Sequence, residues 1–155
     1  MTRNTKKTVL VLATAIALIV AWAPLARAQC ALRVYSASGS SKGKMESNGR
    51  IYNSSGSYKG KLENAGRIYN SSGSYIGKVE SNGRVYNSSG SYMGKIESSG
   101  RIYNSSGSYM GKISNNGRVY NKSGSYRGKL EGYSGPSCQR SGATLIIFFH
   151  FLSLD

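Results

Sequence analysis

From Leu32 onward the apolar positions follow a fixed pattern. An aliphatic residue stands between Arg and Tyr (Arg84-Val85-Tyr86), a cluster of Asn, Ser and Gly follows, and a second aliphatic residue closes a Tyr-x-Gly-Lys run (Tyr92-Met93-Gly94-Lys95-Ile96). No run reaches the ten or more residues that a helix wants. β-Branched and aromatic residues in short runs, bounded by turn residues, predict strands joined by tight turns. The pattern recurs every 17 residues, from Gly49, Gly66, Gly83, Gly100 and Gly117, with a degenerate first copy from Leu32, so six copies fill residues 32–133. So strict a period predicts a repeat architecture, in which neighbours bury what one unit leaves exposed.

Residues paired across an antiparallel ladder must point to the same side. Closing Val79-Glu80-Ser81-Asn82-Gly83-Arg84-Val85 with the three-residue loop Ser81-Asn82-Gly83 sets Glu80 opposite Arg84, Val79 opposite Val85 and Lys78 opposite Tyr86. These are an ion pair, an apolar pair and a cation on an aromatic ring. A two-residue loop at Ser89-Gly90 then sets Asn87 opposite Tyr92, Tyr86 opposite Met93 and Val85 opposite Gly94. This register predicts an inner face of Val85, Tyr92, Gly94 and Ile96, and an outer face of Arg84, Tyr86, Met93, Lys95 and Glu97. Gly94 would leave room for the Tyr92 ring or mark a bend.

One hairpin is marginal in water. Six in series give twelve strands whose inner residues need a common centre: Val34, Met45; Ile51, Tyr58, Leu62; Ile68, Tyr75, Val79; Val85, Tyr92, Ile96; Ile102, Tyr109, Ile113; Val119, Tyr126, Leu130. Closure into a shallow barrel or rosette buries that face and removes free edges. Beyond the array lie a Gly/Ser/Pro linker, residues 134–142, and an uncharged hydrophobic segment, residues 143–155, up to its final Asp155. Twelve helical residues span only about 18 Å, too short for a bilayer. The simplest home for this segment is the centre of the ring, as a plug; a closing strand and a membrane-dipping tail are the alternatives.

Charge changes the picture next. The chain carries 21 Lys and Arg against 6 Asp and Glu, formally +15. Residues 1–28 read as a signal peptide: Arg3, Lys6 and Lys7 precede an apolar run from Thr8 to Leu25, with Ala26-Arg27-Ala28 as the cleavage site and residues 29–31 as the new N-terminal segment. An uncleaved anchor is the alternative. Cleavage removes four basic side chains and no acidic one, so the charge falls from +15 to +11. An exported domain this basic meets polyanions. Cys30 and Cys138 flank the array, and an even cysteine count in an exported chain predicts a disulfide, which a closed ring would allow; unpaired or intermolecular thiols are the alternative.

The repeated G-R-[IV]-Y-N-S-S-G-S-Y-x-G-K-[ILV]-E resembles the repeat of the five-fold β-flower proteins. Its Y-N-S-S-G-S-Y-x-G core is intact at 52–60, 69–77, 86–94 and 103–111. The resemblance implies a closed all-β rosette of hairpins, similar in outline to tubby-like barrels, whose centre holds a hydrophobic helix. Departures are six units rather than five, Leu32 and Ser41 in the first unit where Gly and Tyr recur, and Ser114 in place of Glu in the fifth. The family implies no activity.

Candidate chemistry is sparse. His150 lies in the apolar tail, Asp155 is the single aspartate, and no Cys/His cluster has metal-ligand spacing, so no catalytic residue, metal or cofactor is expected. What recurs is basic and aromatic: Arg50, Arg67, Arg84, Arg101 and Arg118; Lys61, Lys78, Lys95, Lys112 and Lys129; Tyr52, Tyr69, Tyr86, Tyr103 and Tyr120, with Arg33, Lys44 and Tyr35 from the first unit. These positions form the candidate polyanion-binding surface, since cations meet phosphates or carboxylates and tyrosines stack on sugars or bases. A merely solvated face is the competing reading. The expectation is a non-enzymatic binding or structural module of the bacterial cell envelope, in the periplasm or on the cell surface, taking anionic glycans or lipid headgroups, with nucleic acid less favoured. The alternative function is a scaffold for protein contacts.

Overall fold

The structure is a computed structural model that describes residues 29–155; the signal-peptide reading of residues 1–28 lies outside them. Twelve strands form six hairpins: β1 (Leu32–Ser36) with β2 (Ser41–Met45), β3 (Arg50–Asn53) with β4 (Tyr58–Leu62), β5 (Arg67–Asn70) with β6 (Tyr75–Val79), β7 (Arg84–Asn87) with β8 (Tyr92–Ile96), β9 (Arg101–Asn104) with β10 (Tyr109–Ile113), and β11 (Arg118–Asn121) with β12 (Tyr126–Glu131). Each strand pairs with its chain neighbours, and β1 returns to β12 through Val34 opposite Leu130, so the sheet closes with no edge. The disulfide Cys30–Cys138 ties the chain just outside both ends of the ring, across a separation of 108 residues.

The loop between β6 and β7 forms as the spacing predicts. Gly83 N–H donates to Glu80 O at 3.0 Å, Gly83 takes φ +83°, and Val79 stands opposite Val85 and Lys78 opposite Tyr86. The loop between β7 and β8 corrects the sequence reading. It is a three-residue loop, Ser88-Ser89-Gly90, in which Asn87 N–H donates to Ser91 O and the Asn87 Oδ1 accepts from the backbone of Ser89 and of Ser91 at 3.1 and 2.9 Å. That side-chain cap holds the longer loop in place of the two-residue one. Tyr86 therefore faces Tyr92, and a bulge absorbs one residue so that Val85 still faces Gly94. Tyr92 points outward, as do its equivalents Tyr58, Tyr75, Tyr109 and Tyr126, and none of these five belongs to the inner face.

The inner face is aliphatic. Val34, Ile51, Ile68, Val85, Ile102 and Val119 make one layer and Met45, Leu62, Val79, Ile96, Ile113 and Leu130 the next, all no more than 2% exposed. The tail fills what they surround. A 3₁₀ turn (Gly135–Cys138) leads into helix α1 (Gln139–Ala143) and one wide turn (Thr144–Phe148), and Ala143, Thr144 and Leu145 are completely buried against the ring. Gln139 Nε2 donates to Ile96 O at 2.6 Å and Arg140 Nη1 to Asn64 O at 2.9 Å, which anchors the plug to two sides of the ring. Among the described residues no helix is long and apolar enough to cross a membrane.

Past the wide turn, the tail winds around the other end of the barrel and sets one apolar side chain at one repeat glycine after another. A Cβ on Gly77 would lie 2.6 Å from Phe148, on Gly60 2.9 Å from Phe149, on Gly43 2.8 Å from Phe151, on Gly128 2.9 Å from Leu152 and on Gly111 3.2 Å from Leu154. The tyrosine of Tyr-x-Gly therefore does not cover this glycine, as the sequence suggests; the tail does. At Gly77 φ is +151°, and an added Cβ would also strike Tyr86 O. Gly77→Ala is expected to cost about 2–4 kcal/mol from backbone strain and overpacking. Gly90→Ala, at a loop tip with nothing within 4 Å of the new methyl, should cost only about 1 kcal/mol. Urea denaturation of the two variants measures the difference, and equal losses would refute the packing role of Gly77.

Candidate functional site

The register lines up the outer residues across four strands. Arg84 stands opposite Lys95, Lys95 opposite Tyr103, and Tyr103 opposite Tyr109. The same row recurs as Arg50, Lys61, Tyr69, Tyr75; as Arg67, Lys78, Tyr86, Tyr92; and as Arg101, Lys112, Tyr120, Tyr126. Closure of the ring completes Arg33, Lys44, Tyr52, Tyr58 and, with a serine at its end, Arg118, Lys129, Tyr35, Ser41. Six rows thus run obliquely around the barrel, and every candidate Arg, Lys and Tyr named from the sequence falls in one of them. The second tyrosine of each row is the residue that sequence reasoning placed inside. Its signal was the Asn four positions before the Ser that precedes it, the cap of the three-residue loop.

Each row carries cations at one end, and five of the six carry paired rings at the other. Lys78 Nζ lies 4.8 Å from the Tyr86 ring centroid, Lys95 5.0 Å from Tyr103, Lys44 5.1 Å from Tyr52 and Lys112 5.6 Å from Tyr120. The ammonium rests on the negative face of the ring while its other side stays in water. Tyr86 and Tyr92 meet edge to face with centroids 5.8 Å apart; three more pairs also meet edge to face, Tyr120 and Tyr126 form a tilted fifth, and the sixth is lost to Ser41.

The carboxylates do not pair with arginine as the cross-strand reading expects. Glu80 takes Lys78 of its own strand at 2.6 Å, Glu97 takes Lys95 at 2.7 Å, Glu46 takes Lys44 at 2.8 Å and Glu63 takes Lys61 at 3.6 Å. Lys and Glu two apart on one strand face the same side, and the flexible ammonium reaches back more easily than an arginine across the turn. The arginines are left facing solvent. In the fifth unit Ser114 replaces Glu, which leaves Lys112 without a same-strand carboxylate.

The hydrogen bond from Lys78 holds the Glu80 carboxyl below its ordinary 4.5 and reciprocally raises Lys78 above its ordinary 10.5. A lowered carboxyl stabilises above its ordinary value and loses that contribution as pH falls through the lowered one; a raised ammonium loses its own as pH rises. Both charges stand through the neutral range, and solvent keeps their contribution to stability small. His150 lies in the winding tail at φ +49°, the single described non-glycine residue with a left-handed backbone. Among the described residues no three His, Cys, Asp or Glu side chains gather to hold a metal.

Closed hairpin ring, buried plug and belt of cation–tyrosine rows together define a β-rosette. The family described as 5-fold beta-flower protein matches residues 31–152, and the chain belongs to it. Six hairpins make this ring, five of them carrying the tyrosine pair. No curated protein and no solved structure gives a significant match.

Proposed function

We propose that the protein is an exported, non-enzymatic binding module of the bacterial envelope, in the periplasm or at the cell surface, which holds anionic glycans or lipid headgroups on its outer belt. The observation that carries this reading is the belt itself: six exposed arginines, each opposite a lysine and none in an ion pair with a carboxylate among the described residues. Lysines engaged by glutamate and tyrosine present a fixed ammonium, whereas the arginines remain available for bidentate contact with sulfate, phosphate or carboxylate. The adjacent tyrosine pairs offer flat apolar faces to sugar rings. The disulfide supports an oxidising compartment.

The proposal is tested with heparin and with anionic phospholipid vesicles. Binding should weaken by roughly tenfold or more between about 50 and 200 mM salt, since each neutralised anion releases a counterion. Replacing Arg67, Arg84 and Arg101 together by Gln should lower both affinity and salt slope while leaving thermal stability unchanged, because all three are exposed. Binding that ignores salt and survives the triple replacement removes this reading. Protein partners captured by such salt-insensitive contact would favour the scaffold instead, for which the exposed tyrosines Tyr58, Tyr75, Tyr92 and Tyr126 provide the apolar surface.

A further inference from the structure

The tail covers five sectors of a six-sector ring. In chain order its side chains reach Gly77, Gly60, Gly43, Gly128 and Gly111, which is a steady progression around the barrel that stops one hairpin short of where it began. The hairpin of β7 and β8 is the one passed over: the atoms nearest to a Cβ on Gly94 are backbone atoms of Tyr103 and Asn104, with no tail side chain among them. An open groove of about 350 Å³ lies in this sector. Its walls are Met93 and Met110 from neighbouring hairpins, Ile102 from the ring, and Ile147 and Leu154 from the two ends of the winding tail, with Tyr103, His150 and Asp155 also lining it.

We propose that this sector is a binding site for an unbranched alkyl chain, the hydrocarbon part of a single-chain amphiphile. The occupants of the five equivalent positions are Phe and Leu side chains, so an apolar group is what this end of the barrel accepts. The volume exceeds one such side chain and lies in the range of small-ligand sites. The two methionines that flank it are unbranched and adapt to a chain of variable position. Met93 is 37% exposed, an apolar side chain at the open side of the groove. The groove meets the outer belt at Tyr103 alone, uses none of the belt's arginines or lysines, and stands whether or not the belt binds polyanions.

The chain has four methionines, Met1, Met45, Met93 and Met110, so methyl-labelled methionine gives a sparse NMR readout. The protein expressed from its whole reading frame is titrated with hexanol, octanol and decanol. Saturable shifts are expected at Met93 and Met110, with the fully enclosed Met45 unmoved, and affinity should rise roughly three- to fourfold per added methylene. Decanoate and a decyl lysolipid carry the same chain on other heads. Preference for the lysolipid assigns a membrane lipid as the source, and preference for decanol or decanoate assigns a free amphiphile. Met93→Lys should lower affinity tenfold or more with an unchanged melting temperature, and Met93→Leu should keep it. Shifts that fail to saturate, that spread equally to Met45, that ignore chain length, or that persist undiminished in Met93→Lys would overturn the assignment.

Discussion

Truncating the chain after Ala143 is expected to abolish cooperative unfolding and leave an aggregating, dye-binding product. The twelve inward aliphatic residues of the ring are 0–2% exposed because Ala143, Thr144, Leu145 and Ile146 occupy the space between them. Each repeat contributes only two such residues, and burying one aliphatic side chain stabilises by about 1.5–3 kcal/mol. Opening the centre to water takes away a large part of that burial around the whole ring at once, against a total stability of about 5–15 kcal/mol for an ordinary domain. A graded version of the experiment is Leu145→Ala, expected to cost about 3–5 kcal/mol through the cavity it leaves. Thermal denaturation followed by circular dichroism and by a hydrophobic dye reports both. A truncated protein that stays soluble and melts at the original temperature would mean that the ring supports itself.

The second large effect is on the disulfide. Replacing Cys30 and Cys138 together by Ser is expected to lower the unfolding free energy by about 4–5 kcal/mol, the chain-entropy estimate for releasing a loop of about a hundred residues. The number is large because the bridge spans 108 residues and encloses the entire array. Without it, the ring closes only through the pairing of β1 with β12, where Arg33, Val34, Tyr35 and Ser36 stand opposite Glu131, Leu130, Lys129 and Gly128. Guanidinium titrations of the oxidised protein, the reduced protein and the double variant should place the last two together and well below the first. A loss under about 1 kcal/mol would show that strand pairing alone fixes the closure.

Much of this was legible in the chain. The 17-residue period gave the hairpins, the parity of Val79 and Val85 gave the inner aliphatic layers, and the need to bury a thin apolar face without free edges pointed to the closure. The tail, apolar and too short for a bilayer, favoured an interior plug over a closing strand or a membrane-dipping tail, and the interior is where it lies. What escaped is informative in each case. The Tyr86–Tyr92 pairing depends on Asn87 capping its own loop, a side-chain bond that alternation of polar and apolar residues does not report. Glu80 chose Lys78 over Arg84 because a neighbour two residues away on one strand competes with the cross-strand partner. The role of Gly43, Gly60, Gly77, Gly111 and Gly128 was hidden because glycine reads as a turn or a bend, and only the folded chain shows which side chain needs the missing Cβ. Of the candidate belt, the sequence supplied the first tyrosine of each row and all the cations. The second tyrosine was lost with the register of one turn.

The placement of the plug also governs when the molecule can form. Its residues follow all twelve strands in the chain, so the hairpins made first have no shared interior until the last of the sequence is available. Each nascent hairpin is marginal by itself, and contacts such as Phe151 against Gly43 and Ser141 with Gln29, both more than a hundred residues apart, make assembly strongly non-local. Folding therefore cannot proceed hairpin by hairpin as the chain is synthesised. It waits until residues 143–155 have been made, and the hairpins completed before then share no interior.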